Sequence, residues 1–147
     1  MTRACWSLAV AALLLWPSQA SAQMVAHTVA VTTDGSGDAT VYSEPTFGVV
    51  LAVRYVPHDS TPLDAAADIT ITDNGTGQNV LTITNVGGGA REFLPRGVTV
   101  TTSGVEATYD GTRIVLGSVP VAGAIKVVVA SGGATKSGTV YLFIQGR

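Results

Sequence analysis

Residues 124–145 read Ala-Ile-Lys-Val-Val-Val-Ala-Ser-Gly-Gly-Ala-Thr-Lys-Ser-Gly-Thr-Val-Tyr-Leu-Phe-Ile-Gln. Both ends of this stretch are rich in the β-branched and aromatic residues that favour strands. Residues 131–138 between them are glycine-rich and too many for a tight turn. We therefore expect strands at 124–130 and 139–145 that form a final hairpin. Because side chains alternate along a strand, the large apolar ones share one face of each: Ile125, Val127 and Val129 against Val140, Leu142 and Ile144.

The same alternation recurs towards the start of the chain. Gly-rich and Asp-rich stretches at 34–38 and 73–77 are typical of hairpin turns. The first would join strands 25–31 and 39–43, and the second would join strands 68–72 and 80–84. A further strand is predicted at 98–102, and weaker strand patterns follow at 106–109 and 113–116.

The longest apolar stripe predicts a central strand. It consists of Phe47, Val49, Leu51, Val53 and Tyr55, and the opposite face also carries apolar residues. The stretch from 58 to 67 contains Pro62 and reads as a loop, with room for one helical turn at 63–67.

These patterns predict an all-β chain with a single antiparallel domain of about eight or nine strands. Turn signals every 8–12 residues are typical of a β-sandwich or a jelly roll. No helical period of ten or more residues occurs after residue 22. We assign the β-sandwich domain to residues 23–147, a length that can bury about two thirds of the unfolded chain's surface.

Residues 1–22 have the pattern of a cleaved, helical secretory signal peptide. Arg3 supplies the positive start, residues 8–16 form a short apolar run, and residues 20–22 read Ala-Ser-Ala. The apolar run has nine residues, whereas a membrane-spanning helix needs about 20. The sequence thus predicts export to the periplasm or the cell surface, with no membrane contact after cleavage. A membrane anchor or a misassigned start codon is the alternative.

Composition excludes several functional classes from residues 23–147. Ten acidic against seven basic residues give a net charge of −3, and the basic ones are scattered, which argues against nucleic-acid binding. The lone cysteine, Cys5, falls in the signal segment, so the remainder has no disulfide and no thiol nucleophile. Because Cys5 precedes the apolar run, we also expect no lipid anchor.

Few residues are candidates for catalysis. His27 lies on an alternating strand beside valines, where a packing role is the simpler interpretation. His58 and Asp59 are adjacent, and such a pair can orient a general base, but the polarity of a solvated loop is the simpler interpretation. Ser36 and Ser137 lie in glycine-rich turns rather than at a nucleophile elbow. We expect no enzyme, no catalytic residues and no cofactor.

Metal binding is also disfavoured. Two distant histidines without cysteine cannot form a closed zinc site. Calcium needs six to eight oxygens converging on one point, and aspartates that border strands more often serve turns and caps. The aspartates in question are Asp34, Asp38, Asp59, Asp64, Asp68 and Asp73. We predict no metal site.

Two features of the sequence are relevant to the binding or attachment of carbohydrate. Tyr42, Tyr109 and Tyr141 could form an aromatic platform for glycans, although alternation makes each equally a sheet-packing residue. Asn74-Gly75-Thr76 matches the N-glycosylation pattern, and Asn-Gly also suits a type I′ hairpin turn, which is a sufficient explanation.

The order of several segments resembles small β-sandwich proteins encoded in tailed-phage and prophage structural modules. The segments are residues 31–42, 48–57, 67–72, 94–96 and 123–138, so the resemblance spans about residues 28–146. It implies a virion or particle component that packs against copies of itself or a neighbour, and it implies no defined site. The signal peptide departs from that group and suggests an exported version.

We therefore expect a non-enzymatic structural or interaction protein, in a phage-like particle or exported to the surface, that acts by packing on itself or a protein partner. The alternative is a secreted glycan-binding module of the adhesin type. A hydrolase that uses His58 and Asp59 is a third hypothesis.

Overall fold

A computed structural model describes residues 23–146, and the predicted signal peptide at 1–22 lies outside the described residues. Eleven strands and no helix occur within 23–146, so no helix in that range could cross a membrane. The strands are β1 (Met24–Thr32), β2 (Ala39–Tyr42), β3 (Thr46–Pro57), β4 (Asp68–Asp73), β5 (Asn79–Ile83), β6 (Arg91–Phe93), β7 (Gly97–Val98), β8 (Leu116–Gly117), β9 (Val119–Gly123), β10 (Ile125–Ala130) and β11 (Ser137–Gln145).

The strands form two principal antiparallel sheets. Sheet A has the order β1-β11-β3-β6, and β9 pairs with the first half of β3 on the same side as β6. Sheet B has the order β2-β10-β4-β5, and β7 pairs only with β8. The all-β, antiparallel, sandwich-like fold is thereby confirmed. The count exceeds eight or nine because β6 and β9 were not predicted as strands and β7 and β8 have two residues each.

One apolar core lies between sheets A and B. Alternate residues of β4, β10 and β11 are buried while their neighbours are half-buried or exposed. Burying this apolar area contributes roughly 25 cal/mol per Å², which is the main stabilising term in a chain without disulfides. The largest fully buried side chains are Tyr55, Ile69, Ile71, Ile125, Leu142 and Ile144.

Two of the predicted hairpins are wrong. β1 pairs with β11 in sheet A, whereas β2 pairs with β10 in sheet B. Likewise β10 and β11 belong to different sheets. The two connecting loops pack on each other, with the Gly132 N–H donating to the Gly37 carbonyl at 2.7 Å, and each carries the chain from one sheet to the other. The apolar faces of β10 and β11 therefore meet across the core and not side by side. The β4–β5 hairpin is confirmed.

The apolar stripe predicted for β3 is correct only in its second half. The register of β3 with β11 shifts at a β-bulge, where Val50 opposes Ile144 but Ala52 opposes Phe143. A bulge inserts one residue and changes the phase of alternation. Val50 is therefore buried, while Phe47 is 69% exposed. The central position of β3 between β11 and the β6/β9 side is confirmed.

Two predicted turn geometries are also wrong. Residues 63–67 form a single turn, closed by the Ala67 N–H and the Asp64 carbonyl, and not a helical segment. The β4–β5 turn is not type I′, since positive φ occurs there at Gly77 and not at Asn74 or Gly75. The Asp73 side chain accounts for this difference, because it accepts hydrogen bonds from inside the turn.

Candidate functional site

Residues 94–117, which we call the arm, leave sheet A between two strands of the same edge. The arm follows β6 and precedes β9, and both of these strands pair with β3. Its ends are thus fixed to the sandwich on either side. Among residues 94–117, none belongs to the buried apolar core.

The backbone of the arm closes on itself. Three residues spaced eight apart form a ring of hydrogen bonds: Thr99 N–H donates to Val115 O at 3.0 Å, Val115 N–H to Ala107 O at 2.8 Å, and Ala107 N–H to Thr99 O at 2.8 Å. The Thr99 hydroxyl also donates to Val115 O at 2.9 Å. Next to this ring, Gly117 packs closely on Thr99, since a Cβ added at Gly117 would lie 2.7 Å from Thr99 Cγ2.

The two turns of the arm are capped by their own side chains. Asp110 Oδ1 accepts hydrogen bonds from the N–H groups of Arg113 and Thr112, and these hold the pKa of Asp110 below its usual range. Arg113 Nε also lies 3.4 Å from Asp110 Oδ2. In the other turn, Thr101 Oγ1 accepts a hydrogen bond from the Val105 N–H. The arm is thus an ordered element built from local hydrogen bonds.

The arm concentrates the exposed apolar surface of the protein. Eight of the twelve exposed large apolar side chains within residues 23–146 lie in it, although it is about a fifth of that range. Tyr109 is the most exposed of them, at 84%. The eight are Leu94, Val98, Val100, Val105, Tyr109, Ile114, Val115 and Leu116.

The charge of the arm is balanced. It contains two basic residues, Arg96 and Arg113, and two acidic residues, Glu106 and Asp110, so the net charge of −3 resides on the remainder of residues 23–147. A neutral, apolar surface of this kind suits contact with another protein better than contact with a charged polymer.

A cleft of about 390 Å³ borders the base of the arm. One wall is the edge strand β5, from Asn79 to Thr82, and the other is the segment from Phe93 to Arg96. Leu94, at its rim, is 64% exposed. The base of the arm therefore borders a concave surface of mixed polar and apolar residues at the edge of sheet B.

The surroundings of both histidines indicate structural roles. His27 is half-buried on β1 and opposes Leu142 in the sheet. His58 Nδ1 accepts hydrogen bonds from the N–H groups of Ser60 and Thr61, each at 3.2 Å. That nitrogen therefore organises its loop, and Asp59 is exposed beside it. The two serines considered as nucleophiles also lie apart: Ser36 in the 34–38 loop and Ser137 on β11, where its Oγ lies 3.1 Å from Thr32 Oγ1.

Several of the aspartates considered for calcium cap turns instead. Within residues 23–146, no three His, Cys, Asp or Glu side chains converge closely enough to hold a metal ion. The N–H groups of Asp38, Ser36 and Gly37 hold the pKa of Asp34 below its usual range. Three of these carboxylates accept hydrogen bonds from backbone N–H groups through Oδ1. Asp34 accepts from Ser36 and Asp38, Asp38 accepts from Ser131, and Asp68 accepts from Asn85.

Asp73 is fully buried at the end of β4 and joins the two sheets. Its Oδ2 accepts hydrogen bonds from the Ala122 N–H of β9 at 2.9 Å and from the Thr76 hydroxyl at 2.8 Å. Its Oδ1 accepts one from the Gly75 N–H at 3.0 Å. Burial alone would raise the pKa of Asp73, but these donors outweigh burial and lower it. Asp73 is a buried carboxylate with a structural role.

The three tyrosines do not share one surface. Tyr42 is exposed on β2 of sheet B, and Tyr141 is half-buried on the outer face of sheet A. Tyr109 lies in the arm. The three rings therefore do not form one aromatic platform, and Tyr109 is the most exposed of them.

No model of a known protein family matches this sequence, and no curated protein matches it significantly either. The interpretation of the site consequently depends on the surface and the hydrogen bonds described above.

Sequence reasoning predicted strands at 98–102, 106–109 and 113–116 but did not single out the arm as a site. The structure shortens the first and last of these to the two-residue strands β7 and β8, and the predicted strand at 106–109 is wrong, since that segment forms only isolated bridges. Apolar and polar residues alternate in each segment as they do in a sheet strand. The sequence therefore did not reveal that these segments bond to one another outside the core. The available signal was the pair of glycines in the turns at 104 and 111, which separates three short segments of similar length.

Proposed function

We propose that the protein is a non-enzymatic structural or interaction protein whose working surface is the arm. In this proposal it packs against a protein partner, either in a phage-like particle or in an exported surface assembly. The observation that carries the proposal is the concentration of eight exposed large apolar side chains on one ordered segment with no net charge.

Physical reasons favour this function. An isolated exposed leucine is ordinary, but contiguous apolar surface on a small protein marks contact sites. Aromatic residues such as Tyr109 are enriched among the residues that dominate binding energy at protein interfaces. The backbone ring through Thr99, Ala107 and Val115 holds the segment in place before contact, which reduces the entropic cost of binding.

Co-sedimentation tests the proposal with matched variants. The purified protein is mixed with the particle fraction or the envelope fraction of the producing cell and pelleted. We expect the wild type and the control Tyr42→Lys, which alters an exposed aromatic residue outside the arm, to pellet with one fraction. Leu116→Lys should remain in the supernatant. Failure of the wild type to pellet, or equal pelleting of all three proteins, would count against the proposal.

A glycan-binding module is the second candidate, and the exposure of Tyr109 favours it. Exposed aromatic rings can stack on sugar faces through their apolar surface. A glycan array distinguishes the candidates: binding to defined glycans that is lost in Tyr109→Ala and retained in Tyr42→Ala supports this function. An array without hits removes it.

A further inference from the structure

We propose that two copies of this chain pair through the free edge of β1, in antiparallel orientation about a two-fold axis at Thr28. This contact would join the two A sheets into one continuous sheet. The pairing uses a surface separate from the arm, so the result of its test is independent of the function proposed above.

The edge of β1 offers a row of unpaired backbone groups. β1 ends the strand order of sheet A and, among the described residues, pairs only with β11. Its pairing continues at both ends, where Thr33 N–H donates to Lys136 O and Gly146 N–H donates to Gln23 O. Odd-numbered residues of β1 therefore bond to β11, because hydrogen-bonded pairs alternate along an antiparallel ladder. The N–H and C=O groups of the even-numbered residues point away from the sheet.

The even-numbered residues are also sterically open. Ala26, Thr28, Ala30 and Thr32 are all exposed, and none is larger than threonine. The register of β1 with β11 runs without interruption over nine residues, so the edge has no bulge. At about 3.3 Å per residue, the edge is roughly 30 Å long.

β1 lacks the devices that protect sheet edges in monomeric proteins. Charged residues, proline, bulges and short length are the usual ones. β2, β5 and β6 have four, five and three residues, and the edge strand β9 contains Pro120. By contrast, β1 has nine residues, Met-Val-Ala-His-Thr-Val-Ala-Val-Thr, with no Asp, Glu, Lys, Arg or Pro. Only this edge among the described strands is both long and unprotected.

A second copy fits the edge because the edge is self-complementary. A two-fold axis at Thr28 places Thr28 opposite its own copy, Ala26 opposite Ala30, and Met24 opposite Thr32. These three pairs are the hydrogen-bonded ones and join only even-numbered residues, so each outward N–H meets an outward C=O of the other chain. Apart from Met24, the side chains of these even-numbered pairs are alanine and threonine, and the same register sets Val25 opposite Val31 and His27 opposite Val29 on the other face. The paired strands bring no like charges together.

Sedimentation velocity over a range of concentrations tests the pairing. We expect the wild type to reach the mass of two chains as concentration rises. Ala30→Pro should remain a single chain, since it removes an outward N–H and leaves the β1–β11 ladder intact. Thr28→Lys should do the same, since it sets two cations opposite each other. The control Thr28→Val should pair as the wild type does, and so should the arm variant Leu116→Lys.

Hydrogen exchange locates the contact without any substitution. At pairing concentrations, the amides of Ala26, Thr28 and Ala30 should exchange more slowly than in dilute protein, while those of Val29 and Val31 stay protected at both concentrations. Three results would overturn the proposal: a single-chain mass at every concentration, pairing that survives both Ala30→Pro and Thr28→Lys, or paired protein in which the even-numbered amides still exchange rapidly.

Discussion

Val98 and Leu116 lie opposite each other on β7 and β8, and their side chains are 50% and 57% exposed. Two large apolar residues thus share a ladder that contributes nothing to the core between sheets A and B. The fold already has a complete core of its own, so this pair is free to contact another molecule.

The first prediction separates the arm from the stability of the domain. Leu116→Lys should change the free energy of unfolding by less than about 0.5 kcal/mol, because the side chain is exposed. Leu142→Ala should cost about 2–5 kcal/mol, because Leu142 is fully buried between the sheets. Urea titration followed by circular dichroism measures both. Equal losses in the two variants would show that the arm belongs to the cooperative core.

The second prediction concerns Asp73. Its pKa is lowered in the folded protein, so its carboxylate stabilises the fold above the unfolded pKa of about 3.9, and this contribution is lost as pH falls through the folded pKa. Asp73→Asn should destabilise the protein at pH 7 by about 1–3 kcal/mol, because the amide group cannot accept all of the present hydrogen bonds.

Measuring the free energy of unfolding from pH 7 down to the acid transition checks this prediction. Asp73→Asn should show a smaller loss of stability below about pH 4 than the wild type. Asp59→Asn, in an exposed loop, is the matched control and should follow the wild type. An acid transition that is identical in wild type and Asp73→Asn contradicts the assigned role.

The third prediction concerns the space at Gly138. A Cβ there would lie 2.7 Å from Cε2 of the buried Tyr55 ring. Gly138→Ala should therefore overpack the core and cost about 1–3 kcal/mol. Gly88→Ala is the control, since nothing lies within 4 Å of its Cβ position. Thermal unfolding of the two variants would contradict the packing at Tyr55 if both kept the wild-type midpoint.

The fourth prediction concerns the Tyr55 hydroxyl, which is buried without a hydrogen-bond partner among the described residues. Burial raises the pKa of Tyr55, and the nearby backbone of Leu63, which does not reach hydrogen-bond geometry with the hydroxyl, offsets only part of the rise. Tyr55→Phe removes an unpaired polar atom, so stability should stay equal or rise by up to about 1 kcal/mol.

Alkaline pH provides a second measurement for the same substitution. A raised pKa means that the folded state favours the neutral phenol, so its contribution is lost as pH rises above the unfolded pKa of about 10. Tyr55→Phe should therefore lose less stability than the wild type above that pH. A marked destabilisation of Tyr55→Phe at pH 7 would instead reveal a hydrogen bond to the hydroxyl.

Local alternation was sufficient to predict most strands and the fold class, because burial of one face imposes a period of two residues. Alternation was not sufficient to predict which strands pair with each other. β10 and β11 have matching apolar faces whether they lie side by side or across the core, and the sequence does not distinguish these arrangements. The bulge in β3 reversed the alternation within one strand, which no local pattern around Phe47 reveals.

The candidate site was harder to predict for a related reason. Exposure of the arm follows from the closed ring of backbone bonds through Thr99, and this ring depends on contacts between residues 8 to 16 positions apart. The role of Asp73 likewise depends on Ala122 of a distant strand. Strand propensity gives no information on either of these long-range contacts. By contrast, the turn-capping role of Asp34 involves only neighbouring residues, so it could be predicted from the sequence.

The central claim is that the arm is the surface through which the protein contacts its partner. The most direct test is hydrogen exchange with mass-spectrometric detection, comparing the free protein with the protein pelleted on the particle or envelope fraction. We predict slower exchange in residues 94–117 on binding, with sheet B unchanged. Unchanged exchange in residues 94–117, together with protection confined to other parts of the chain, would contradict the account.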